Sequence, residues 1–118
     1  MGDETTLGRI EVSPRAIASI AARAVLTSYG VVGMASGTLR DGIAEILNLE
    51  NVHRGVGVAV VDGQVVIELH VVIEYGTRIS VVAHNMMDSV KFSVEQALAM
   101  PVREVNVHVQ GVHVSNED

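Results

Sequence analysis

The chain has 118 residues, with 14 acidic side chains against 8 basic ones and a formal charge of −6. That length suits one domain with its own core. The basic residues are scattered from Arg9 to Arg103 rather than gathered in a stripe, which argues against direct partners among nucleic acids or anionic lipid surfaces. The absence of cysteine removes disulfides, thiolate metal sites and cysteine nucleophiles, and two Tyr with one Phe are too few for a base-stacking platform.

In chain order, "MGDETT" formally fits a myristoylation signal at Gly2 with Thr6. It is discounted because the match is short and an acid follows the glycine. No apolar stretch follows, so neither a secretory leader nor a membrane span is expected. "LGRIEV", residues 7–12, alternates as a short strand does. Ser13 suits an N-cap and Pro14 the first helical position, which predicts a helix over 14–29. Ile17, Ile20, Ala21 and Ala24 form its buried stripe, and Gly30 stops it. "VVGMAS", residues 31–36, reads as a second strand, and Asp41 is expected to cap a short helix carrying Ile43, Ile46 and Leu47.

Asp62-Gly63 is a two-residue hairpin turn, which needs positive φ at both positions. It predicts the pairs Val61–Gln64, Val60–Val65, Val58–Ile67 and Val56–Leu69. Val65, Ile67, Leu69, Val71, Ile73 and Tyr75 then share one apolar face. Gly57, Ala59, Val66, Glu68, His70, Val72 and Glu74 share the other. Thr77 is expected to cap a second helix over 78–100, with Ile79, Val82, Ala83, Met86, Val90, Val94 and Ala97 buried and Pro101 beyond its end. In the last strand Val105, Val107 and Val109 lie on one face, and Asn106, His108 and Gln110 on the other.

Each long helix has one apolar stripe and the strands alternate. The expected fold is therefore α+β: a two-layer sandwich in the order β-α-β-β-β-α-β, with a mixed sheet and both long helices on one face.

Chemistry-bearing residues are few. Glu68, His70 and His108 have side chains suited to a divalent metal, yet no ligand-motif spacing joins them, and no metal or cofactor is expected. His84 and Asp88 lie four apart on one helix face, which reads as a surface hydrogen bond, and "HNMMD" lacks the glutamate of a zinc-protease helix. "GVVG", residues 30–33, resembles the glycine loop of a nucleic-acid-binding KH domain but carries no basic residue; a helix stop followed by a strand start explains it. Met86 falls on the core stripe. Phosphate loops, nucleophile elbows and nucleophile–His–acid arrangements are absent from the sequence.

The segments "GRIEVSPRAIASIAARAVLTSYGVVGMA", "DGIAEIL", "VHRGVGVAV", "IELHVVIEYGTRISVVAHNMMDSVKFSVE" and "VNVHVQGVHV" resemble the alkaline shock protein family, also called the envelope stress response protein family of Gram-positive bacteria. The likeness spans about residues 7–114, the ordered core expected of a single domain over residues 1–118. Its compact form resembles the small housekeeping branch. The resemblance implies a cytoplasmic, non-enzymatic protein linked to envelope stress or membrane-lipid homeostasis. It also implies homo-oligomers, a membrane-anchored protein partner for some relatives, and a fatty-acid-kinase-like neighbour. It supplies no catalytic residues.

Two readings follow. In the first, the chain is an interaction module whose partner or oligomer surface is Gly57, Ala59, Val66, Glu68, His70, Val72 and Glu74. In the second, it is a small-molecule- or metal-binding accessory protein with its ligand near His70 and His108. The acidic balance, the lack of catalytic motifs and the open sheet face favour the first.

Overall fold

The computed structural model describes residues 2–4, 6–36 and 45–114. Its elements are β1 (Gly2–Glu4), β2 (Arg9–Glu11), α1 (Pro14–Leu26), β3 (Val31–Met34), a short 3₁₀ turn (Val52–Gly55), β4 (Val56–Val61), β5 (Gln64–Glu74), α2 (Ile79–Leu98) and β6 (Val102–His113).

The long strand β5 organises the main sheet. It pairs parallel with β6 over almost its whole length, Val65–Val102 to Glu74–His113. It pairs antiparallel with β4 over Gln64–Leu69 and with β3 over Val71–Ile73. A strand has two edges, so β4 and β3 share the one opposite β6, end to end. Among the described residues the mixed sheet is thus three strands wide, with β5 in the middle. Helix α2 is the crossover from β5 to its parallel neighbour, the connection that parallel strands require.

Both long helices lie on one sheet face, as expected from their single stripes. Ile17, Ala21 and Val25 of α1 and Val82, Met86, Val90 and Val94 of α2 meet Val65, Ile67, Leu69, Val71 and Ile73 of β5 in one buried cluster. Ala18 and Ala22 widen the buried face of α1, and Ile20 is half-buried. The Ser13 hydroxyl accepts the Ala16 N–H at 3.1 Å, and Pro14 opens the helix. Gly30 is left-handed at φ 85°, four residues beyond the actual helix end at Leu26. The hairpin follows the expected register at every predicted pair, with Asp62 at φ 50° and Gly63 at φ 75°.

Several expectations are corrected. The strand before α1 is not part of the main sheet: β2 pairs antiparallel with β1 in a separate hairpin, and its side chains are exposed. Thr77 does not cap α2. Its hydroxyl donates to the Glu74 carbonyl at 2.7 Å, and Arg78 occupies the cap without a side-chain bond. Ala99, left-handed at φ 53°, ends α2 before Pro101 is reached. Ile79 is exposed at the first residue of the helix, and Ala97 is exposed because the buried stripe steps by four from Val94 to Leu98. Tyr75 is exposed because β5 stops at Glu74 and the chain turns there. The short helix expected after Asp41 falls partly outside the described residues. Within them, Ile46 instead forms an antiparallel bridge with Ala35, and the Leu47 N–H donates to the Met34 carbonyl at 2.8 Å.

Candidate functional site

The sheet face opposite the helices carries the polar residues, and the β5–β6 pairing sets their geometry. Parallel register places Glu68 beside Asn106 and His70 beside His108. Glu68, His70 and His108 therefore come together from strands whose adjacency the sequence did not disclose.

Their arrangement is a closed hydrogen-bond network. His108 Nε2 donates to Glu68 Oε1 at 2.8 Å, and the Asn106 amide donates to Glu68 Oε2 at 2.5 Å and to Glu104 Oε2 at 3.2 Å. The His70 and His108 rings stack, with centroids 4.8 Å apart and planes 17° from parallel. The Gln110 amide lies 3.2 Å from His70 Nδ1 and donates to it, which assigns the His70 proton to Nε2.

The electrostatics follow from these contacts. Hydrogen bonds from Asn106 and then from His108 hold the Glu68 carboxyl below its ordinary value, against a smaller opposing effect of desolvation. Burial, then the neighbouring His108, push the His70 imidazole below its ordinary value despite the attraction of Glu68. His70 is therefore neutral at pH 7, while Glu68 is charged and well solvated by donors.

This geometry does not form a metal cage. The rings lie face to face, so their nitrogens do not converge on one point, and Glu68 already accepts from both neighbours. Among the described residues no group of three or more His, Cys, Asp or Glu side chains is placed to hold an ion.

The rest of the predicted surface divides. Gly57 and Ala59 on β4 are exposed, while Val66 and Glu74 are half-buried on β5. Val72 is the exception: it is only 4% exposed and belongs to the interior. Its two cross-strand neighbours are glycines, Gly33 on β3 and Gly111 on β6. Paired residues point to the same sheet face. A β-carbon on Gly33 would stand 2.9 Å from Ile46 Cγ2, so Ile46 fills the outer-face space beside Val72. The open surface accordingly ends at His70 on this part of β5.

Other candidates resolve simply. His84 Nδ1 donates back to the Ser80 carbonyl at 2.7 Å, on the exposed side of α2. Gly30 and Gly33 belong to a turn and the strand after it. Met86 is fully buried in the core and Met87 packs at its margin. Asn106, Gln110 and Glu104 complete the network, yet only their shared strand face was readable in advance. The available signal was the length of the β5–α2–β6 unit, which suits parallel neighbours. No described helix is long and apolar enough to cross a membrane.

The model of the alkaline shock protein 23 family, described as having a cell envelope-related function, matches residues 2–114. The chain is 44% identical over 113 residues to the uncharacterized protein YloU of Bacillus subtilis (strain 168), covering 95% of this chain and 94% of the relative. It is 36% identical over 112 residues to the uncharacterized protein Spy1614 of Streptococcus pyogenes serotype M6, covering 94% and 93%. A second Bacillus subtilis protein, the uncharacterized YqhY, is 27% identical over 110 residues, covering 93% and 81%. No solved structure matches the chain.

Proposed function

Because the chain belongs to the alkaline shock protein 23 family, of cell envelope-related function, we propose that it is a non-catalytic interaction module of envelope homeostasis. It acts on the cytoplasmic side through self-association and through a protein partner at the membrane. The observation that carries this reading is the sheet face left uncovered by both helices. Exposed Gly57 and Ala59 make a shallow strip there, beside the network of Glu68, His70, Asn106 and His108. Hydrogen bonds tie that network together, which supports recognition over turnover: its carboxylate is held charged by donors, and among the described residues its imidazoles bond to Glu68 and Gln110 rather than to a nucleophile. A shallow apolar strip with a polar border has the make-up of a protein contact surface.

A protein partner is favoured over lipid by charge. The formal charge of −6 opposes an anionic bilayer surface, and the basic residues are scattered along the sequence rather than gathered in a run.

The test uses the full chain expressed in Bacillus subtilis in place of YloU. After mild crosslinking it is recovered from the envelope fraction and compared with Ala59→Arg, which changes only the exposed strip. The reading expects an envelope protein to co-purify with the natural chain and to be lost from Ala59→Arg. Equal recovery from both would remove the outer face from the account. Stoichiometric metal or a small ligand in native protein, lost in His70→Ala, would favour the accessory-protein reading instead.

A further inference from the structure

The strand β6 is the longest in the fold, yet among the described residues only its β5 side is paired. We propose that its free edge pairs antiparallel with the same edge of a second copy of this chain, centred on Val107. The proposal deepens the self-association in the reading above and rests on it.

Three observations carry it. First, the helix-facing row of β6 emerges progressively from under α2. Val105 is 7% exposed, Val109 36% and Val112 46%. The sandwich is therefore open at this edge, with apolar side chains as well as backbone donors and acceptors left over.

Second, between the register shifts that follow Val102 and Val109 the edge carries none of the usual side-chain protections. Edge strands are commonly guarded by lysine, proline or inward-pointing charge. From Val105 to Val112 the strand reads VNVHVQGV, with no Lys, Arg, Asp, Glu or Pro. On a chain of charge −6 this is a neutral line along which two copies can meet without opposing carboxylates.

Third, β6 is complementary to itself in one register. About Val107, Val105 of one copy faces Val109 of the other on the helix side. On the outer side Asn106 faces His108, and Glu104 faces Gln110. Gln110 keeps one amide proton free to donate to the Glu104 carboxylate, and no like charges are opposed. The same register brings Val112 of one copy opposite Val102 of the other. There a groove of about 320 Å³ between α2 and β6 is lined by Met87, Lys91, Val102 and Val105 among others. The most exposed end of each row thus reaches a space that the other copy leaves open.

The absence of cysteine makes the test direct. Directly opposed residues in antiparallel strands have Cα atoms ~4.5–5.5 Å apart, within disulfide reach. Full-length Val107→Cys is expected to oxidise to a covalent dimer, whereas Ala59→Cys on the outer face is not. Because Val107 is half-buried, a second variant is read by light scattering. Val109→Lys should halve the mass of the dimer while leaving the far-ultraviolet spectrum unchanged. Covalent dimer from Ala59→Cys but not from Val107→Cys, or an undiminished mass in Val109→Lys, would overturn the edge pairing and leave self-association standing. A natural chain that is monomeric across concentration would overturn both.

Discussion

His70 and His108 stack ring on ring at 4.8 Å, although 37 residues and the whole of α2 separate them in the chain. One of the pair is held neutral by burial and by its neighbour, and the other donates to Glu68. The outer face is therefore sensitive to acid in a calculable direction.

The folded-state value of His70 lies below its ordinary 6.5, so near and below that pH the unfolded chain binds more protons than the folded one. The His70 contribution is complete above pH 6.5 and is lost as pH falls through the folded value. Glu68 acts in the same direction at lower pH: its contribution is present above 4.5 and is lost as pH falls through its own depressed value. Urea melts at pH 7.5 and pH 5.5 should show the natural chain losing more stability than His70→Gln. An equal loss in both would remove His70 from the acid response.

Ile67 and Leu69 are fully buried beneath the helices. Truncation of either to Ala should cost about 2–5 kcal/mol in urea melts, through lost burial and the cavity left behind. A loss below about 0.5 kcal/mol would be that of a surface position and would contradict the assigned face.

The hairpin offers a paired test of backbone against space. A β-carbon on Gly63 would touch nothing within 4 Å, but its φ of 75° is the conformation that β-branched residues resist. Gly63→Val should therefore destabilise by about 1–2 kcal/mol. A β-carbon on Gly57 would meet Glu68 Cβ at 3.4 Å with no such backbone penalty, so Gly57→Ala should be neutral or add up to ~1 kcal/mol. Thermal melts of the two variants should move apart, and equal shifts would contradict the turn geometry.

Val72 reports how far side-chain alternation can be trusted. Its place in the polar row predicts a tolerant surface position, but its neighbours are glycines and Ile46 lies beside it. Val72→Arg should cost on the order of 3 kcal/mol, as a charge placed in the interior, whereas Ala59→Arg should leave the melt unchanged. The reverse order would restore Val72 to the open face.

What was legible in the chain was what local chemistry determines. Ser13 and Pro14 set a helix start, Asp62-Gly63 set a register, and the stripe through Val82, Met86, Val90 and Val94 set a buried face. The Glu68–Asn106–His108 network was not legible, because it depends on which strands become neighbours across a helical crossover. The burial of Val72 depends on residues from two other strands and on Ile46, none of which alternation within β5 encodes. Tyr75 failed as a core residue for a simpler reason: the periodic pattern continues past the point where the sheet ends.

The most direct measurement of the central claim is photo-crosslinking from the uncovered face. A benzophenone amino acid is placed at Ala59 on the outer strip or at Phe92 on the exposed side of α2, in full-length chain replacing YloU in Bacillus subtilis. The account predicts that Ala59 yields a discrete covalent adduct with another polypeptide in the envelope fraction and that Phe92 yields none. Adducts from Phe92 alone, or from neither position, would contradict it.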